Sequence, residues 1–386
     1  MTNDQLPGYT DADVKAALLA AGASGTVYSL VMPESEAVLS TVMDGASMIN
    51  DALEPDRGRL FELYHEPWSQ KQDGMHEEYF RTWAEWAAPV VSFPAQEFVH
   101  RYPTAGASEG IYKLMAEYAA VARGNDITPT INIFDGEYEG FAAFAAALDI
   151  RLVRHQREHW GEIVPTLDAD AQFWISQPSA IDGMVWNEFE AFAAILSDQR
   201  PDVQLIPDLT YVGSVARGYS IALDLPNIPA FLISQSKPLG GYYHRVGGVF
   251  AKREYPSLFG NKWFKNLLSL RWATTMMLRY DVHHLPNKYR PVQIQAAKNS
   301  GALLGIEQLA ATDVMLMAKA PKTVGLSPSV QAVLRGTGTE EVIRLCVSPG
   351  MACLIDPKMA PTTAPDLLQK WNDEGLTPLL AQEQSQ

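Results

Sequence analysis

Cysteine is almost missing: the 386-residue chain has two, Cys346 and Cys353, too few for a disulfide framework or a tetrahedral zinc site. A reducing compartment follows as the expectation. Also missing is any uncharged apolar run of the ~18 residues that a membrane span needs. The N-terminus has no basic stretch leading into an apolar segment, so a cytoplasmic protein without a membrane partner is expected. Positive charge is scarce too, with 30 Lys+Arg against 45 Asp+Glu for a net charge of −15. Such a field repels phosphate backbones and anionic lipid, which argues against nucleic acid as a partner while leaving room for a small cationic pocket. What remains is 47% hydrophobic and 19% charged, the composition of a folded globular protein long enough for two domains.

The N-terminal pattern reads as helix. Thr10 and Asp13 frame a capping box before an Ala/Leu-rich run, residues 35–63 also read as helical, and Tyr79, Phe80, Trp83 and Trp86 fall at the spacing of a buried helix face. From about residue 104, short apolar runs at 131–134, 150–153, 172–176, 203–207, 230–234 and 248–251 alternate with helix candidates at 109–121, 139–147 and 187–197. Strands separated by helices require crossovers, hence an α/β fold with a mostly parallel, doubly wound sheet. The last strands, around Gly247 and Gly248, lack an intervening helix, so one edge is expected to be antiparallel. A long helix is expected over 262–280. Pro286 and Pro291 then punctuate the chain before another helix from Val292, and a strand at 341–347 and a helix at 365–374 complete a smaller α+β domain. The expected organisation is an N-terminal segment, 1–60, belonging to the small domain, a large domain, 61–290, and a C-terminal small domain, 291–386. In open α/β sheets ligands bind at the carboxyl ends of the strands, so polar residues closing each apolar run are the first to inspect.

The strongest such cluster runs from Ser234 through Ser236 and Lys237 to Arg245. A lysine just past an apolar strand, with hydroxyls three and one residues before it and an arginine eight residues after, suits a phosphate-bearing aldehyde: the amine forms a Schiff base while hydroxyl and guanidinium hold the phosphate. This segment resembles the lysine motif of fold-type I pyridoxal-phosphate enzymes, in the class I/II aminotransferase branch. The resemblance implies that Lys237 carries pyridoxal 5′-phosphate, with Ser234 and Arg245 on the phosphate and Ser236 among the other cofactor-binding residues. Upstream, the strand ending in Asp208 is followed by Tyr211, and the resemblance puts these on the ring nitrogen and ring oxygen. Gly106, Ala107 and Ser108, opening a helix, resemble the family's phosphate cup, and Tyr138 matches its stacking aromatic although Gly136 replaces the usual proline. Arg344, in an apolar C-terminal strand, matches the arginine that binds a substrate carboxylate. Each cluster alone also reads as ordinary structure, such as a solvated lysine, a turn aspartate or a glycine turn. Their joint order along the chain carries the cofactor reading, and the resemblance spans roughly residues 100–350.

Departures bear on reaction type. Where the family reads Asn-Pro-x-Asn-Pro-Thr-Gly, this chain reads Gln177-Pro178-Ser179-Ala180-Ile181-Asp182-Gly183; the second asparagine, a donor to the ring oxygen, aligns with Ala180, and Asp182 or Asn187 could replace it. Tyr243 and His244 follow the lysine where a glycine is expected, and these are read as crowding the pocket. His155 and His159, at i and i+4, lack the further ligands of a zinc site, so no metal is expected. The expected function is a homodimeric enzyme acting on an amino acid or amino-acid-like amine through a substrate–cofactor Schiff base and a carbanion, aminotransferase-like. Elimination, replacement or cyclisation on the same carbanion stays open, as does a non-catalytic binding module on the same fold. Tyr64 is a candidate for a phosphate contact lent across the dimer.

Overall fold

The computed structural model describes residues 11–43, 73–263, 266–321 and 342–359. Two helices, α1 (Asp11–Ala20) and α2 (Pro33–Met43), are followed by α3 (Asp73–Ala87), where the aromatic spacing has the predicted result: Tyr79, Phe80 and Trp83 are almost wholly buried. Phe80 and Trp83 pack against Phe250, with centroids 5.0 and 5.3 Å apart, which anchors α3 to one face of the main sheet.

That sheet has seven strands: β1 (His100–Thr104), β2 (Thr130–Phe134), β3 (Arg151–His155), β4 (Gln172–Ser176), β5 (Gln204–Asp208), β6 (Ala230–Ser234) and β7 (Gly247–Ala251), in the spatial order β1-β7-β6-β5-β4-β2-β3. The helices α4 (Ala107–Gly124), α5 (Glu139–Ala147) and α6 (Phe189–Gln199) join successive strands. Every residue of β2, β4, β6 and β7 is buried, as expected for strands covered on both faces. One apolar cluster built around α3, Phe173, Phe192, Phe231 and Phe250 fills one side; a second, around α4, Trp174 and Val249, fills the other. The α/β, mostly parallel architecture is thus as expected.

Several expectations need correction. The antiparallel strand, β7, is not at the edge: β1 lies outside it, antiparallel to it, and was missed because its sequence, HRYPT, has no apolar run. Pro103 is tolerated there because β1 is an edge strand. The helix expected over 262–280 is shorter. A 3-10 segment, Pro256–Trp263, precedes α7 (Leu267–Arg279), which starts where the Asn266 side chain accepts the Ser269 N–H at 3.3 Å. The prolines do not break the next helix. Helix α8 (His284–Leu304) takes in both: Pro286 sits in the first turn, where its missing N–H has no partner to lose, and Pro291 lies inside a helix whose Tyr289, Gln293, Ala296 and Ala297 are buried.

A smaller antiparallel sheet, β8 (Ala310–Ala311), β9 (Met317–Pro321) and β10 (Val342–Cys346), packs with α9 (Ser348–Ile355) and α8. Ser24 pairs with Cys346 at its edge, so the segment after α1 is tied to β10. The helix expected at 365–374, most of that expected at 35–63, and Tyr64 lie outside the described residues.

Candidate active site

The parallel strands β4, β5 and β6 all end on one side of the sheet, with Ser176 paired to Asp208 and Asp208 to Leu232. Their carboxyl ends, the N-terminus of α4 and the loop before β7 enclose a cavity of about 240 Å³. Among the residues on its wall are Ala107, Ser108, Tyr138, Asp208, Tyr211, Ser234, Ser236, Lys237 and Arg245. Nine residues singled out from four separate stretches of sequence therefore meet in one place.

At one end sits an anion-binding cradle. Helix α4 begins after Gly106, whose φ of 81° lies in the left-handed region and which has no side chain to cap the first turn. The first-turn N–H groups thus face outward with the positive end of an 18-residue helix behind them. Glycine is required: a Cβ at Gly106 would lie 2.8 Å from Arg245 Nη2, and one at Gly247 would lie 2.5 Å from the Ile233 carbonyl oxygen. The Arg245 guanidinium donates to the Ala105 carbonyl at 3.2 Å, and Ser108 Oγ lies 3.1 Å from the Tyr138 hydroxyl. Ser236 Oγ is buried with no hydrogen-bond partner among the described residues, which is costly unless a ligand supplies one. A phosphate dianion satisfies this donor set, so the residues present fit the phosphate end of pyridoxal phosphate.

Lys237 and Asp208 define the other end. Lys237 Nζ donates to the Val27 carbonyl at 3.4 Å and lies 5.6 Å from the centre of the Tyr211 ring. Burial pulls the ammonium down to about 8, outweighing the help of Asp208 and Cys346, so a useful fraction of neutral amine exists near neutral pH. Asp208 is 4% exposed, and burial pushes its carboxyl up to about 6 against the hydrogen bonds from Thr210. Both of those bonds, from the Thr210 N–H at 3.0 Å and its hydroxyl at 2.5 Å, fall on Oδ1. A buried carboxylate with one oxygen left over is suited to a cationic N–H partner, as a protonated pyridine would be. Burial also raises the Tyr211 phenol well above its usual range, with Arg344 opposing, so it stays a neutral donor.

Other expectations are revised. Arg344 is 5% exposed and lies behind Ala180 rather than on the wall: Nη1 donates to the Ala180 carbonyl at 2.5 Å and Nη2 to that of Gly25 at 3.3 Å, while Nε is buried without a partner among the described residues. Tyr243 and His244 do not crowd the pocket. Tyr243 is 84% exposed, and His244 stacks on Trp272 with centroids 4.7 Å apart. Asp182 is held by Arg157 at 3.0 Å and Lys319 at 3.6 Å and is absent from the wall, and Asn187 is exposed, so neither replaces the missing asparagine. His155 bonds Asn132 at 2.8 Å, and His159 lies 3.9 Å from Glu162.

Sequence reading missed Thr26, Val27, Ser176 and Thr210 on the wall. Ser176, the polar residue ending an apolar run, carried a signal that was readable; Val27 contributes through its carbonyl, for which no side-chain signal exists.

The sequence matches no protein-family model and no curated protein. Solved structures, in contrast, match over nearly the whole chain. YbdL from Escherichia coli, described as having a methionine aminotransferase function, is 14% identical, with a TM-score of 0.60 over 91% of this chain and 97% of its own. The PLP-bound C–S lyase from Staphylococcus hominis in complex with L-cycloserine is 16% identical, with a TM-score of 0.61 over 92% and 88%. The aminotransferase AspB from Helicobacter pylori is 12% identical, with a TM-score of 0.56 over 97% and 100%. The chain therefore has the fold of these aminotransferases and this lyase.

Proposed function

We propose that this protein is a pyridoxal-phosphate-dependent enzyme, aminotransferase-like, acting on an amino acid or amino-acid-like amine. The observation that carries the reading is a half-buried lysine, Lys237, between a buried carboxyl, Asp208, and a phosphate cradle of Ser108, Ser234, Ser236, Arg245 and the α4 N-terminus. A binding module needs no such lysine. When bound, pyridoxal phosphate supplies an aldehyde for an amine and a ring that withdraws electrons from the substrate's α-carbon.

The chain's own groups do the rest. The cradle binds the phosphate dianion, a local patch of positive charge in a chain whose net charge is −15. Asp208 would face the ring nitrogen and keep a proton there. Tyr211 donates from its hydroxyl, and Tyr138 covers the cavity from α5's N-terminus. Lys237, neutral in part at pH 7, would hold the cofactor through its Nζ and would carry the proton at the substrate's α-carbon. Arg344 takes a substrate carboxylate by exchanging its contacts with the Ala180 and Gly25 carbonyls. Borohydride reduction of the loaded protein and peptide mapping tests the assignment. The expected label is a phosphopyridoxyl group on Lys237; a label on another lysine, or none, contradicts it.

The same reading includes a homodimer. Phe259 and Trp263 pack edge to face at 5.0 Å yet remain 45% and 47% exposed, an apolar surface suited to a second copy. Sedimentation equilibrium should return twice the chain mass; a single-chain mass at micromolar concentration refutes this part.

A further inference from the structure

Ser176 lines the cavity, and behind it sits Glu137, a carboxyl with no part in the chemistry above. Glu137 is 5% exposed. Its Oε1 accepts the Ser176 N–H at 3.0 Å; its Oε2 lies 2.6 Å from Ser176 Oγ and accepts the Tyr138 N–H at 3.3 Å. Ser176 Oγ also accepts the Ala180 N–H at 2.7 Å.

One proton decides what this hydroxyl offers the cavity. While Glu137 is ionised, Oε2 can only accept, so the Ser176 hydroxyl hydrogen is spent on it and the oxygen has just a lone pair left. Once Glu137 is protonated, Oε2–H can donate to Ser176 Oγ. Together with the Ala180 N–H, that fills both lone pairs, and the hydroxyl hydrogen is released toward the cavity. No heavy atom need move: the switch is the gain or loss of one proton at Glu137.

We propose that Glu137 and Ser176 form a proton-gated pair that presents a hydrogen-bond donor to the ring of bound pyridoxal phosphate when Glu137 is protonated and an acceptor when it is not. The inference rests on the cofactor reading given above. Ser176 is the cross-strand partner of Asp208, so it borders the part of the cavity assigned to the ring, and neighbouring Ala180 brings no polar side chain to that wall. The gate works in the neutral range because burial, the dominant effect, raises Glu137 to about 7. The hydrogen bonds from Ser176 and Tyr138 oppose the rise, as does the charge of Arg157 from the turn after β3. Arg157 is itself fixed by Ser179 and Asp182, each at 3.0 Å, and the Tyr211 phenol and Arg344 of β10 also act on the carboxyl electrostatically.

Two measurements test this. In the cofactor-free protein, infrared difference spectra between about pH 5 and about pH 9 should show, above the Asp208 carboxyl that ionises near 6, a second buried carboxylic acid that ionises with a midpoint near 7. Glu137→Gln should lose that signal. Its absence from the native protein, or its survival in Glu137→Gln, overturns the gate. In the protein loaded with pyridoxal phosphate, a donor aimed at a ring oxygen favours the ionised chromophore. Glu137→Gln, whose amide donates to Ser176 at every pH, should therefore move the midpoint of the visible absorbance to lower pH, and Ser176→Ala should move it up. Shifts in the same direction, or none in either variant, overturn the inference. Failure of the native protein to bind pyridoxal phosphate refutes the cofactor reading and the gate's ligand with it, and the infrared titration of the cofactor-free chain separates that result from failure of the carboxyl pair.

Discussion

Replacing Asp208 by asparagine should stabilise the cofactor-free protein above neutral pH while crippling the loaded one. Burial raises the Asp208 carboxyl from 3.8 to about 6. Because the folded state holds the proton more tightly than the unfolded chain, the folded state binds more protons between those two values, and stability falls as pH rises through that window. Each pH unit is worth 1.36 kcal/mol, so above about pH 6 an ionised Asp208 costs the cofactor-free fold about 3 kcal/mol. An asparagine keeps the acceptor for Thr210 and never ionises. Urea unfolding of both cofactor-free proteins at about pH 5 and about pH 8 measures the difference. The native protein should weaken more across that interval than Asp208→Asn, and the variant should be the more stable at the higher pH. Glu137, raised from 4.5 to about 7, adds a slope of the same sign to both proteins, so the difference between them isolates Asp208. Bound cofactor supplies a cationic partner and should erase most of that difference. Equal slopes, or an Asp208→Asn protein less stable at pH 8, would refute the account of Asp208 as a buried carboxylate awaiting a cation.

Two further outcomes follow from the cradle and the carboxylate arm. Arg245→Ala removes a guanidinium that packs on Gly106, and losing one charge-assisted contact of ~1.5–3 kcal/mol should weaken pyridoxal phosphate binding roughly 10- to 100-fold by fluorescence titration; unchanged affinity would exclude Arg245 from the phosphate. Arg344→Gln should raise KM for α-amino acids by at least about tenfold with a smaller effect on kcat, and should leave KM for amines lacking a carboxylate nearly unchanged. Equal effects on both substrate classes would make Arg344 a structural residue.

The parts of the fold that were readable are those where one residue's chemistry matches one local geometry. Strands β2, β4 and β6 are covered on both faces, so they appear as largely apolar runs, and the serines that end β4 and β6 mark the cavity. β1 was invisible because an edge strand in this sheet has no need of such a run. Helix α8 was misread because two prolines outweighed a buried face that only tertiary packing reveals. The positions near the lysine failed for a related reason: Tyr243 and His244 are adjacent to the pocket in sequence, but the 3-10 turn Tyr242–His244 leaves Tyr243 exposed and stacks His244 on Trp272.

Ala180 shows how a departure from a family pattern is absorbed by backbone. Its side chain offers no donor, yet its carbonyl holds Arg344 at 2.5 Å and its N–H is bound by Ser176 at 2.7 Å. The position therefore couples the arginine assigned to the substrate carboxylate to the hydroxyl that borders Asp208, both through main-chain atoms that any residue would supply. An asparagine restored at Ala180 would enter a site 4% exposed, where its amide would need partners of its own. The wall beside Ala180 is polar through Ser176, whose hydroxyl accepts the Ala180 N–H and donates to Glu137, a buried carboxyl 43 residues earlier in the chain.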